Sequence, residues 1–339
     1  MSEIEAIPEG PVVVTGGAGF LGGAVVEQLL ARGVSDIRIV DLLPASNGKH
    51  EAAPRDPRGE VRHFQRDLRS DRLDEPFEGA RTVLHLAACQ YHTPVARTTY
   101  ELPFFEINVD GTRRVLEAAK KGGARHLVFV STNMVYGLPQ ALPLSEKHPL
   151  EPFGPYGQSK LEAERLVEAA QSADLDCAVV RPGLIVGPGR TGVVERVFRW
   201  IRQGRPIVMI GNANNRYEVM HVEDVASLVI AASRHRGFAA YNCASVSVPT
   251  MREWIEAVKE LAGSRSPIVG VPGRAVKPVL RLLEAVRLAP LRKDQYLIAD
   301  VDYYMDASLA KEDLGWSPRY TGREAILDTY RWYLERRAS

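Results

Sequence analysis

Short β-branched apolar runs alternate with longer amphipathic stretches along the front half of the chain. Pro11-Val12-Val13-Val14-Thr15 has no polar face, which predicts a buried strand. Ala24 to Arg32 sets Val25, Val26, Leu29 and Leu30 on one helical stripe, with Gly33 as its stop. Ile37-Arg38-Ile39-Val40-Asp41 predicts the second strand, and Val61-Arg62-His63-Phe64 continues the alternation to Asp67-Leu68. Thr82 to Ala88 and His126 to Thr132 read as further strands, the first ending in small residues and the other in hydroxyls. Phe104 to Lys120 reads as one helix, and Leu161 to Leu166 continues another that opens after Pro155. The Pro-, Gly- and charge-rich segment from Ala45 to Arg62 reads as a surface loop. Repeated strand–helix units predict an α/β fold with a doubly wound parallel sheet, and ligands at the carboxyl ends of its strands.

Composition narrows the class. With 339 residues the chain can build one large α/β unit or two lobes. Lys and Arg number 43 against 42 Asp and Glu, so no global field favours nucleic acid or an acidic membrane. Cys89, Cys177 and Cys243 are odd in number and far apart, which suggests neither a disulfide framework nor a zinc site, and makes a reducing cytoplasm the expectation. Met1 to Glu5 lacks the basic and apolar regions of a signal peptide, and no apolar run reaches the length of a membrane span.

Three features carry chemistry. Gly16-Gly17-Ala18-Gly19-Phe20-Leu21-Gly22 lies between the first strand and its helix, and fits G-x-x-G-x-x-G from Gly16 or G-x-G-x-x-G from Gly17. A tight turn there lets the backbone approach a pyrophosphate at the helix N-terminus. Asp41 ends the second strand about 20 residues on, where a carboxylate binds a ribose 2′-hydroxyl. It would repel a 2′-phosphate, and Leu42, Leu43 and Pro44 offer no arginine to receive one, so NAD is expected over NADP. Tyr156 and Lys160 stand four apart and share a helix face. An ammonium beside a phenol favours the phenolate, and a phenol tuned in this way can exchange a proton with an alcohol or a ketone.

Together these residues resemble the extended short-chain dehydrogenase/reductase family, the NAD-dependent epimerase/dehydratase group. The resemblance runs along almost the whole chain. It takes in Thr15 to Gly22, Asp41, Asp67-Leu68, His85 to Ala88, Asn108 to Thr112, Ser131 to Gly137 and Tyr156 to Lys160. It continues through Arg181-Pro182-Gly183, Gly187-Pro188-Gly189, His221 to Val225 and Leu314 to Pro318. It implies a Rossmann sheet over residues 1–182, with a returning segment near 219–245, and a smaller substrate lobe over most of 183–339. It implies that Tyr156 is the acid/base, that Lys160 tunes it and holds the nicotinamide ribose, and that Thr132, or else Ser131, hydrogen-bonds the reacting oxygen. The implied cofactor site joins Gly16, Gly19, Phe20, Leu21 and Gly22 to Asp41, Asp67, Leu68, Leu86, Ala87, Ala88, Asn108, Ser131 and Pro182, with Tyr156 and Lys160. Asn108 is expected to stabilise the active-site turn, while His85 and His221 look like packing residues. A homodimer built on the helices starting near Phe104 and Tyr156 is also implied.

The implied reaction is hydride transfer between NAD and a secondary alcohol, ending as an epimerase or as a net dehydrogenase. A sugar-nucleotide dehydratase is disfavoured, because Asn133 and Met134 stand where that branch carries an acid pair. Leu184 and Tyr217 replace an asparagine and an arginine usual in sugar-nucleotide epimerases. Arg190, Arg196, Arg199 and Arg216 remain candidates for an anion clamp. A nucleotide-sugar epimerase is the main expectation, with a dehydrogenase of the hydroxysteroid or flavonol-reductase type as the alternative. Val279, Leu280, Leu283 and Val286 lie at helical spacing and read as core, or as the wall of a greasy pocket.

Overall fold

A computed structural model describes residues 8, 10–44, 61–91, 102–190, 192–285 and 291–338. The loop expected over 45–62 lies outside them as far as residue 60, as do Met1 to Glu5 and Val286; residues 61 and 62 belong to a strand.

The strands run in chain order β1 (Val12–Thr15), β2 (Ile37–Asp41), β3 (Val61–Gln65), β4 (Thr82–His85), β5 (His126–Val130), β6 (Asp176–Pro182), β7 (Leu184–Val186), β8 (Ile207–Ile210), β9 (Val219–His221), β10 (Phe238–Cys243) and β11 (Ile268–Val271). Seven form one parallel sheet in the order β10-β6-β5-β4-β1-β2-β3. Strand order reverses between β1 and β4, which opens a crevice at the carboxyl ends of the strands. The late strand β10 closes the far edge by pairing with β6. The pairs β7–β9 and β8–β11 lie outside this sheet.

The pleat explains how β1 serves two cores. Val12 and Val14 pack with Val25, Val26 and Leu29 of helix α1 (Phe20–Ala31). Val13 points the other way. Helix α2 (Asp74–Phe77) and helix α3 (Leu102–Phe105) are short. Helix α4 (Gly111–Gly122) and helix α5 (Pro155–Ala170) cover the Val13 face with Val115, Leu116, Ala163 and Val167. After helix α6 (Glu195–Arg202), helix α7 (Val222–Ala232) joins α1 on the opposite face through Val225, Leu228 and Val229. Burying such a side chain fully is worth about 1.5–3 kcal/mol, so these two faces dominate the packing energy. Helix α8 (Met251–Leu261) and the last helix, Gly322–Ala338, build a third core with α6 around Phe198, Trp254 and Tyr330.

Two expectations change. Phe104 to Lys120 is not one regular helix: α3 passes into a π-helical turn, Glu106–Asp110, before α4 begins. On helix α9 (Gly273–Ala285) the apolar stripe splits, with Leu280 buried but Val279 55% exposed. None of these residues lines the crevice. Among the described residues, no helix is long and apolar enough to cross a membrane.

Candidate active site

The crevice is a cleft of about 630 Å³. Its floor is the glycine turn. Gly16 has φ +73, and a Cβ there would stand 2.7 Å from the Ala87 amide nitrogen. A Cβ on Gly22 would stand 2.1 Å from the Gly16 carbonyl oxygen. The turn can therefore carry no side chain at either place: α1 starts directly against the turn after β1, and that turn lies against the loop after β4. The helix begins at Phe20 rather than Ala24, so Gly22 and Gly23 lie inside it.

Asp41 has two anchors. Its Oδ2 accepts from the Ala18 amide at 3.0 Å and its Oδ1 from the Leu43 amide at 2.9 Å. The acid thus fixes the glycine turn while it lines the cleft. Asp67 and Leu68 line the same end, together with two arginines that the local sequence around Asp41 does not contain, Arg66 and Arg69. Both are paired, Arg66 with Glu75 at 2.9 Å and Arg69 with Asp67 at 2.7 Å. The hydrogen bond from Arg69 holds the Asp67 carboxyl below its ordinary range.

At the other end, Tyr156 and Lys160 project from α5, and Ser131 and Thr132 follow β5. Thr132 Oγ1 accepts from the Met134 amide at 3.3 Å, capping a short turn over Asn133–Tyr136. Tyr156, Thr132 and Gln90 line the cleft together. Burial pushes the phenol up to about 12, against the polar Thr132 and Gln90 side chains and the charge of Arg190. The expected lowering by Lys160 does not prevail in the protein alone. Burial pushes the Lys160 amine down to about 7, and its Nζ sits 3.9 Å from the centre of the Phe129 ring with no hydrogen-bond partner. Glu164, the carboxylate that favours the charged amine, is engaged by Arg181 at 2.7 Å. Ser131 Oγ is also buried without a partner.

Of the catalytic and cofactor-binding residues expected from the sequence, all but one line this cleft. Asn108 instead sits behind it, 1% exposed on the π-helical turn. Its Oδ1 accepts from the Cys89 amide at 2.7 Å, and its Nδ2 donates to Cys89 O at 3.1 Å and to Ser159 Oγ at 3.0 Å. It joins the end of β4 to α5 and does not reach the cavity. His85 bridges Thr15 and Thr112 at 2.6 and 2.9 Å, and burial drives its pKa down to about 3, so it is neutral. His221 caps α7 and meets Asp328 at 3.2 Å. Among the described residues no group of three His, Cys, Asp or Glu side chains could hold a metal. Of the four clamp candidates only Arg190 lines the cleft. Gln90 and Tyr91 are lining residues that sequence reasoning missed, although they stand in the loop after β4, just past Ala88 and Cys89.

The donor set fits a dinucleotide. A side-chain-free turn faces a helix N-terminus, a carboxylate ends β2, and a buried amine and hydroxyl await partners at the far end. Comparison with known proteins agrees. Residues 12–244 match the model of the NAD dependent epimerase/dehydratase family, and the chain belongs to that family, whose cofactor is NAD. It is 30% identical to the 3 beta-hydroxysteroid dehydrogenase/Delta 5-->4-isomerase of Mycobacterium tuberculosis, over 96% of this chain and 90% of that protein. It is 28% identical to the UDP-glucose 4-epimerase of Mycolicibacterium smegmatis, over 95% of this chain and 97% of that one. Among solved structures, MoeE5 in complex with UDP-glucuronic acid and NAD superposes with a TM-score of 0.76 at 28% identity, covering 97% of this chain and all of MoeE5.

Proposed function

We propose that this protein oxidises a secondary alcohol with NAD, using Tyr156 as the proton carrier, and that a nucleotide-linked sugar epimerised at that carbon is its substrate. The observation that carries the reading is that Tyr156 and Thr132 line the far end of a dinucleotide cleft, with the unpartnered Lys160 amine on the same helix as Tyr156. NAD, when bound, supplies the hydride acceptor. Thr132 holds the substrate oxygen beside Tyr156, which takes its proton as the phenolate and becomes the neutral phenol. The Lys160 amine gains partners from the cofactor's ribose hydroxyls, and the glycine turn and Asp41 fix the distant end. The similarity to the UDP-glucose 4-epimerase and to MoeE5 with UDP-glucuronic acid supports the sugar.

A specific feature favours a second outcome, net dehydrogenation of an apolar alcohol. Met134, Leu184, Tyr91 and Tyr217 wall the substrate end, and Arg190 is tied to Gln90. The similarity to the hydroxysteroid dehydrogenase supports it. Incubation with NAD and a panel of nucleotide sugars and hydroxysteroids separates the two: a changed epimer with no net NADH marks the epimerase, stoichiometric NADH the dehydrogenase. Tyr156→Phe is expected to lower either turnover by about 100-fold or more. Undiminished turnover in that variant refutes the role of Tyr156.

We further propose the lobe division at residue 182 with the return near 219–245, a cytoplasmic home suited to three buried free thiols, and a homodimer. The apolar stripes of α4 and α5 pack on the sheet, so the dimer would meet through outward residues such as Arg113, Glu117, Glu162 and Arg165. Light scattering that gives the mass of a single chain rejects it.

A further inference from the structure

We infer that a second cleft, between the C-terminal ends of α6 and α8 and the last helix, binds a phosphate-bearing small molecule through Arg202, Arg265 and Tyr330. This cleft is about 510 Å³ and shares no lining residue with the dinucleotide cleft. Its rim carries Arg202, the last residue of α6, and Arg265, which follows the end of α8. Both are exposed, and among the described residues neither guanidinium has a hydrogen bond or an ion pair. Among the described residues, no Asp or Glu lines the cleft. Two positive charges thus border one cavity without a counter-charge, and a guanidinium presents its donors in a fork that matches phosphate oxygens.

The helix ends would oppose an anion, but only by about 0.3–1 kcal/mol each. Their carbonyls are also taken. After α6, the Gly204 and Arg205 amides donate to Ile201 O at 3.2 Å and Trp200 O at 3.0 Å, and Ser264 Oγ donates to Ile201 O at 2.7 Å. After α8, the Gly263 and Ser264 amides donate to Glu260 O at 3.1 Å and Lys259 O at 2.9 Å. These are capped ends that need no arginine to satisfy them, so both guanidiniums stay available. Tyr330 supplies a third donor. It lines the cleft from the last helix, fully buried, with its ring centre 4.9 Å from that of Phe198. Its hydroxyl is buried without a hydrogen-bond partner, which costs about 1–3 kcal/mol until an acceptor arrives. A phosphate offers three oxygens to these three groups, where a carboxylate offers two. Beside them Ile201, Leu334 and the exposed Leu261 form a wall for an apolar body.

Calorimetric titration of the NAD-saturated protein with phenyl phosphate tests this, with benzoate as the carboxylate arm and benzyl alcohol as the uncharged one. NAD fills the other phosphate-binding cleft. Phenyl phosphate is expected to bind with a Kd of about 1 mM or tighter, benzoate about tenfold more weakly, and benzyl alcohol not measurably. Arg202→Gln and Arg265→Gln should each weaken phenyl phosphate about tenfold, and the double variant should lose it while its NAD affinity stays unchanged. Both arginines are exposed, so these variants keep the fold. Tyr330→Phe should weaken binding several-fold with no loss of stability in urea, because the hydroxyl it removes bonds nothing in the free protein. Phenyl phosphate that fails to bind the native protein, or that binds the double variant as tightly, overturns the inference. So does benzoate that binds as tightly as phenyl phosphate, which would make the ligand a carboxylate.

Discussion

Lys160 is 1% exposed, and its amine has no hydrogen-bond partner in the protein alone. An amine whose pKa falls from 10.5 to about 7 on folding penalises the folded state wherever the unfolded chain holds the proton. Below about pH 7 both states are charged and the penalty is complete, on the order of 5 kcal/mol. As pH rises from about 7 to 10.5 the folded amine is already neutral, and the penalty fades. Cofactor-free protein should therefore gain stability through that window. Lys160→Met should be the more stable protein by a few kcal/mol near pH 7, with a lead that shrinks toward pH 10. Urea unfolding of both proteins across this range checks it. A constant difference, or a destabilised methionine variant, would contradict the assignment. The stability gained would be stability the native chain gives up to keep an amine ready for its ligand.

Between elements, the sheet and α5 are joined under the site by a buried ion pair. Arg181 on β6 meets Glu164 on α5 at 2.7 Å through Nη2 and at 3.1 Å through Nε. Its Nη1 donates to the Tyr136 hydroxyl at 3.0 Å, which donates to Asn242 on β10 at 2.7 Å. The helix that carries Tyr156 and Lys160 is thereby locked to two strands and to the turn after Thr132. Removing Glu164 alone leaves a guanidinium buried without its carboxylate. Glu164→Gln should cost about 3–5 kcal/mol, and Glu164→Leu combined with Arg181→Met should recover most of it. Chemical denaturation of the single and double variants reads this, and a single variant as stable as wild type would refute it. Nothing in the spacing of Glu164 and Arg181 announces their pairing. The elements themselves were legible, because β-branched runs and 3.6-residue stripes follow from what each face must bury. The π-helical turn at Glu106–Asp110 was not, since it serves one side chain. It carries Asn108 to Cys89 and Ser159, while the apolar pattern on either side stays regular.

For the molecule as a whole, the cleft draws on residues far apart in the chain, and this marks the limit of sequence reading. Motif-bearing residues line its floor, whereas Gln90, Tyr91, Arg66 and Arg69 reach it only through the topology of the sheet. Tyr303, 170 positions after Asn133, donates to its carbonyl oxygen at 2.7 Å and ties the late chain to the turn beside Thr132. The two arginines sharpen the question of cofactor. A carboxylate at Asp41 disfavours a 2′-phosphate, but Arg66 and Arg69 stand at the same end and could in principle receive one. They are already bound to Glu75 and Asp67, so a phosphate would have to break these pairs while facing Asp41. NAD at 100 times its Kd should stabilise the protein by about 2.7 kcal/mol and raise its melting temperature, while NADP at equal concentration should leave it nearly unmoved. Asp41→Asn keeps an oxygen to accept from the Ala18 amide but removes the charge, so the glycine turn persists and the discrimination narrows. Equal thermal shifts with the two cofactors in the native protein would mean that Arg66 and Arg69 exchange their partners for the phosphate and outweigh Asp41.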